Sequence, residues 1–221
     1  MTWLFISDLF LGGYIMGYTT IAGEAVGTYT EKKSEFIAVI RPVKTQQEAV
    51  DFINEVKSQH RKARHNVYAY ILREGNYSRY SDDGEPQGTA GVPVLDVLSK
   101  RGLTDVCVVV TRYFGGVLLG ANGLVRAYSS ACAAAADNAK LVIMLDAVEL
   151  SVTCEYSLYG KLSYIMPEFE VKMLESDFGS EVKMRMLVKA ELTDALCERL
   201  VDVSNGKIAI DRSDIFSADF A

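Results

Sequence analysis

The stretch RYFGGVLLGANGLVRAY, residues 112–128, follows directly on the apolar run VCVVVT at 106–111, and this junction decides how the fold is read. An unbroken apolar run of that length suits a central strand covered on both faces. Glycines at 115, 116, 120 and 123 then mark a loop. Asn122 is placed to cap a helix running to Lys140. The alanines of that helix (Ala127, Ala131 and Ala133 to Ala136) would let it lie very close to a sheet.

On spacing alone the glycine loop has two readings of equal weight. Glycine permits positive φ and close approach of a backbone to a ligand. A helix start offers free N–H groups and partial positive charge, so it can hold an anion, with Arg112 and Arg126 flanking it. A tight strand-to-helix turn, however, needs glycine only to pack. The run is not a P-loop, because no Gly-Lys-Ser/Thr follows, and GxGxxG is absent.

Working towards the N-terminus, residues 67–72 (VYAYIL) and 36–40 (FIAVI) read as strands, the latter ending at Pro42. Between them, Thr45 with Glu48 three residues on forms a capping-box pattern. Ala49, Phe52, Ile53, Val56 and His60 then recur at helical spacing. Residues 74–91 are polar and read as one long loop, and Pro93 suits the first turn of a short helix ending near Gly102.

Two segments here carry candidate chemistry. In SDDGEPQGTAGVP, residues 81–93, Asp82, Asp83 and Glu85 supply three carboxylates, the oxygen ligands a hard cation such as Mg²⁺ accepts. Asp-Gly and Glu-Pro are also ordinary turn chemistry, which spacing alone favours. In KSQHRKARH, residues 57–65, four cations crowd a helix end, suited to phosphates or an acidic partner, or simply to solvent and the helix dipole. His60 extends the apolar stripe and reads as packed. His65 precedes the strand and is the better placed to reach a cleft. The chain has no other histidine, so any His-based metal site or triad would use one of these two.

After about residue 145 the texture changes. Val148, Leu150, Val152 and Cys154 alternate with polar residues, a half-buried strand. Leu158, Leu162 and Ile165 make a helical face ending near Pro167. Phe169, Val171 and Met173 alternate, as do Val182, Met184, Met186 and Val188. Leu192, Leu196, Leu200 and Val203 form a second stripe stopped by Asn205-Gly206, and Ile208 with Ile210 begins a last strand. The order β-α-β-β-α-β is the ferredoxin-like split motif. The predicted class is thus α+β, with a β-α domain over 18–142 and a ferredoxin-like domain over 143–221.

The chain has 221 residues, 49% hydrophobic and 24% charged, which places it among globular proteins with room for two small cores. Residues 18–140 hold 15 basic and 13 acidic side chains, whereas 141–221 hold 8 and 15. That imbalance argues against a non-specific nucleic-acid coat for the whole chain. Four widely spaced cysteines without a CxxC pair read as buried, reduced thiols of a cytoplasmic protein. Residues 1–17 (MTWLFISDLFLGGYIMG) form an atypical extension, too short to span a bilayer and lacking the basic start of a secretory signal. It is either an extra strand or arm, or sequence upstream of a start at Met16, the second being preferred. No other stretch is a membrane candidate.

Three segments, HNVYAY at 65–70, DDGEPQGTAG at 82–91 and the run at 112–128, together resemble the signature of the YigZ/IMPACT family, in its bacterial two-domain form. The resemblance implies a first domain with the β-α fold of domain four of elongation factor G and a second like that factor's ferredoxin-like domain. It also implies a translation-associated regulatory or RNA- or ribosome-binding protein, with the ribosome, RNA or a translation-regulating protein as partner. No catalysis and no cofactor are carried over. The candidate binding residues are His65, Asp82, Asp83, Glu85, Arg112, Tyr113, Gly115, Gly116, Gly120, Gly123 and Arg126. The alternative is a hydrolase or transferase acting, with or without Mg²⁺, on a phosphorylated or otherwise anionic small molecule. The chain departs from the family pattern at Leu118, where lysine is common, at Asn122, where a third clustered glycine is common, and at Val67, where cysteine is common. The first weakens a phosphate cradle and the last any thiol chemistry.

Overall fold

A computed structural model describes residues 17–220, which divide into two compact units between Ile143 and Met144. The expectations about residues 1–17 therefore fall, but for Gly17, outside the described residues.

The N-terminal unit runs β1 (Tyr18–Ile21), β2 (Ala25–Glu31), β3 (Ser34–Pro42), α1 (Gln46–Gln59), β4 (His65–Leu72), β5 (Tyr77–Ser81), α2 (Gly91–Lys100), β6 (Val106–Tyr113) and α3 (Gly120–Asn138). Strands β2-β3-β6-β4-β5 form an antiparallel sheet in that order, with the apolar run as its central strand. Every residue of β6 but Tyr113 is buried, because both faces are covered. Val106, Val108 and Val110 join the core beneath α2 and α3; Cys107 and Val109 join the one beneath α1. Burial pushes the Cys107 thiol up, and that of Cys132 up to about 12, so both stay protonated.

The Thr45 hydroxyl accepts the Glu48 amide at 3.1 Å, as the capping pattern requires. The Glu48 carboxylate reaches back one residue further than a closed box, to the Lys44 amide at 2.7 Å. Two expectations need correction, and the β2–β3 hairpin is an addition to them. The polar span 74–91 is not one loop: a 3₁₀ turn at Glu74–Asn76 leads into β5, an exposed edge strand that no apolar alternation announces. Strand β2 joins β3 through Lys32 and Lys33, both at positive φ without glycine. Asn122 does not cap α3, which starts at Gly120 with no side-chain cap.

Strand β7 (Leu141–Cys154) begins just before the boundary, and the second unit continues with α4 (Tyr156–Ile165), β8 (Lys172–Phe178), β9 (Val182–Lys189), α5 (Ala190–Ser204), β10 (Ile208–Arg212) and β11 (Phe216–Asp219). The antiparallel order β10-β7-β9-β8 is the ferredoxin-like arrangement expected from the element order. Val148, Leu150 and Val152 pack with Met184, Met186, Leu162, Leu196 and Leu200. Helix α5 ends at Asn205 in the left-handed region. Strand β8 starts later than the alternation from Phe169 implies, because a 3₁₀ turn takes Met166–Phe169 and Glu170 turns the chain at φ 51°. Strand β11 is an addition to the expected motif; it pairs with β7 over residues 144–147. Among the described residues no helix is long and apolar enough to cross a membrane.

Candidate functional site

The acidic loop between β5 and α2 brings three adjacent carboxylates to three different partners. Asp82 accepts the amides of Gly88 (2.9 Å), Ala90 (3.1 Å) and Gly91 (2.8 Å), so it caps α2 from a distance. Asp83, at φ 44°, turns the chain. Its carboxylate binds Lys57 Nζ at 2.8 Å and the Asn66 amide at 2.7 Å. Its carbonyl lies 2.9 Å from His65 Nδ1. A carbonyl can only accept, so Nδ1 carries the proton and Nε2 is the free nitrogen. Glu85, its side chain 4% exposed, takes Arg112 Nη1 at 2.6 Å and the Tyr128 hydroxyl at 2.7 Å on one oxygen. Burial, and then the Glu85 carboxylate, hold the Tyr128 phenol far above its ordinary value, which keeps it a donor. The carboxylates that suggested Mg²⁺ are thus not gathered, and among the described residues no group of three or more His, Cys, Asp or Glu side chains could hold a metal.

The glycine loop divides its labour. A Cβ on Gly115 would lie 2.0 Å from the Lys33 carbonyl carbon, so this glycine lets the loop rest on the β2–β3 turn. Gly116 and Gly120 take positive φ, 88° and 71°. A Cβ on Gly123 would crowd Leu119 at 2.9 Å. Arg112 is 7% exposed, packs near the rings of Phe36 and Phe114, and has a buried Nε with no partner. The Tyr113 hydroxyl lies 3.0 Å from His60 Nδ1. Arg126 does not join the loop: it is exposed on α3 and pairs with Glu31 at 3.3 Å.

What the fold does assemble is a groove of about 830 Å³ at the β6–α3 junction. Pro86, Phe114, Leu118, Leu119 and Leu124 give it an apolar wall; Lys62, Arg64 and His65 line it with polar groups; Glu85 and Arg112 also border it. Gly120 and Ala121, in the uncapped first turn of α3, bring free amides. Lys62 and Arg64 have no carboxylate partner among the described residues. Of the residues expected from the sequence, His65, Glu85, Arg112, Tyr113 and Gly120 line the groove, while Asp82, Gly115 and Arg126 serve elsewhere. Sequence reasoning misses the apolar wall, although Phe114 and Leu118, large apolar residues within a glycine loop, are its signal. Both are exposed, Leu118 to 82%.

An antiparallel β-α unit bearing this groove, followed by a ferredoxin-like unit, defines a two-domain α+β protein, and comparison with known proteins finds the same pair. Residues 32–136 match the Impact N-terminal domain, and residues 152–207 match a domain of unknown function, DUF1949. The chain belongs to the IMPACT family. It is 38% identical to the IMPACT family member YvyE of Bacillus subtilis, over 83% of this chain and 85% of that one. It is 31% identical to the IMPACT family member YigZ of Escherichia coli, over 81% and 89%. A solved structure described as that of a hypothetical protein superposes with a TM-score of 0.59 at 29% identity, covering 88% of this chain and 96% of the other.

Proposed function

We propose that the protein is a translation-associated RNA-binding protein whose groove takes the phosphates of a single-stranded RNA segment. The observation that carries this reading is the pair Lys62 and Arg64, cations without carboxylate partners beside the uncapped start of α3. Two free cations and a helix N-terminus favour a polyanion, and an exposed Phe114 in the same wall suits a base or ribose. The family's implied tie to translation makes RNA the natural source of those phosphates. Cytoplasmic location follows from that partner and fits four buried free cysteines.

The test is binding of a fluorescent ribo-oligonucleotide across a salt series. Affinity is expected to fall linearly with salt on logarithmic axes. Lys62→Ala with Arg64→Ala should make that slope shallower by about 1.4, at roughly 0.7 per phosphate contact on a single strand. No binding at low salt, with no co-sedimentation with ribosomes, would remove the reading.

A second reading, hydrolysis or transfer on a phosphorylated small molecule, rests on His65, whose Nε2 is left free at the groove. Turnover of some member of a phosphate-ester panel, abolished by His65→Gln, is its expected result; turnover indifferent to that change would sink it.

A further inference from the structure

The groove leaves unused a row of aromatic rings on the α1 side of the same sheet. Tyr68 and Tyr70 lie nearly parallel, 6.4 Å apart at 16°, and Tyr77 continues the row 6.0 Å from Tyr70 at 38°. Tyr70, in the middle, is 1% exposed, and its buried hydroxyl has no hydrogen-bond partner. Helix α1 packs over Tyr70 and Leu72 in its core and leaves β5 open. The row therefore ends on an exposed ring, Tyr77, on a strand that among the described residues pairs only with β4. Arg79, directly across the ladder from Tyr70 and so on the same face, has no carboxylate partner among the described residues.

This row is joined to the groove by direct contacts. Lys57 Nζ sits 5.9 Å from the centre of the Tyr68 ring and binds Asp83, whose carbonyl holds His65 at the groove. Arg61, Lys62 and Arg64 follow at the same helix end, and among the described residues none of them pairs with a carboxylate.

We propose that Tyr77, backed by Tyr70 and Tyr68 and flanked by Arg79, is a stacking platform for the bases of single-stranded nucleic acid. This rests on the RNA reading of the groove and extends it to a second surface. A rigid ring offers every base a π-face to stack on, and an adjacent guanidinium can meet the phosphate or the base edge. A proline-rich peptide also favours tyrosine rows, but it would gain nothing from Arg79, Arg61, Lys62 and Arg64. These uncompensated cations select the polyanion.

The full-length chain would be titrated with a single-stranded ribo-oligonucleotide of about ten residues, the size one small domain engages, carrying 2-aminopurine at successive positions. Binding is expected to quench 2-aminopurine at some positions. Tyr77→Ala should lower affinity on the order of tenfold and abolish that quenching, leaving the salt slope unchanged. Tyr77→Phe, which keeps the ring, should retain both. The Lys62→Ala, Arg64→Ala double variant should do the opposite, flattening the slope while the quenching at saturation persists. Tyr77→Ala binding and quenching like the parent overturns the platform and leaves the groove reading standing. Loss of quenching in Tyr77→Ala with an unaltered slope in the double variant upholds the platform and refutes the groove contacts. Tyr77-dependent binding of a proline-rich peptide, without oligonucleotide quenching, overturns the proposal in favour of a protein partner.

Discussion

Glu85→Ala is expected to lower the unfolding free energy of the N-terminal unit by about 3–5 kcal/mol, the cost typical of removing one partner from a buried ion pair. Glu85 and Arg112 have side chains 4% and 7% exposed. The guanidinium already carries one buried nitrogen without a partner. With the carboxylate gone, it would lose its one strong acceptor and remain desolvated. The same substitution strips the Tyr128 hydroxyl of its acceptor in a site where burial keeps the phenol protonated. In a unit of this size the loss should appear as a fall in melting temperature of roughly 10–20 °C. Urea unfolding would read it directly. A companion change separates stored charge from lost packing. Arg112→Met alone should also destabilise, whereas Glu85→Leu combined with Arg112→Met should recover much of the loss, because a buried pair replaced by apolar groups of similar volume is often close to neutral. A cost under about 1 kcal/mol for Glu85→Ala would show that the pair is effectively solvated and would sink the account of Arg112 as a buried, preorganised groove residue.

The contrast between Glu85 and its neighbours shows what local pattern conveys and what it hides. The run 106–111 announces a central strand because a short segment apolar on both faces needs a covering layer on each side of a sheet. The alternation at 148–154 and 182–188 announces the ferredoxin-like core on related grounds, since burial on one sheet face imprints period two. Edge strand β5, Tyr-Ser-Arg-Tyr-Ser, buries almost nothing and so leaves no such imprint. The β2–β3 turn is concealed because Lys32 and Lys33, not Asn-Gly, take the positive φ values. In the acidic loop, spacing groups Asp82, Asp83 and Glu85 as one cluster. Asp83 and Gly84, both at positive φ, rotate the chain so that each carboxylate meets a different element. The partners lie far off in sequence, Tyr128 being 43 residues from Glu85, and no local pattern carries that distance. Proximity assigns Arg126 to the loop, but helical periodicity turns it away from the buried stripe of Leu124, Ala127, Tyr128 and Ala131. The basic run is legible as a phosphate contact; that Lys62 and Arg64 face Phe114 and Leu118 across a groove depends on where α3 is docked.

That docking makes Gly27→Ala the second large expected effect. A Cβ on Gly27, in β2, would lie 2.1 Å from the Ala135 nitrogen and 2.5 Å from the Ala134 carbonyl carbon, both backbone atoms of α3. No rotamer change can relieve a clash with backbone, so either the helix lifts from the sheet or the strand bows away. The helix packs this closely because its inner face is alanine: Ala127, Ala131, Ala135 and Ala136 are all buried there. Lifting it would open gaps beside Phe36 and Tyr128, whose rings meet edge to face at 5.0 Å, and lost packing then adds to steric strain. A loss of about 3 kcal/mol or more is expected, at the upper end of the range for overpacking because the obstacle is rigid. Gly160→Ala, in α4, is the control. Its Cβ would meet nothing within 4 Å, and alanine is the better helix former by up to about 1 kcal/mol, so its effect should be neutral to slightly stabilising. Because Gly120 and Ala121 of α3 line the groove, Gly27→Ala should weaken oligonucleotide binding even where the protein remains folded, although Gly27 itself lies outside the groove lining. Unfolding midpoints for both variants, with oligonucleotide titration of whichever stays folded, check this directly. Equal, small effects would mean that α3 can move without cost and that the close fit of helix to sheet does not set the shape of the groove.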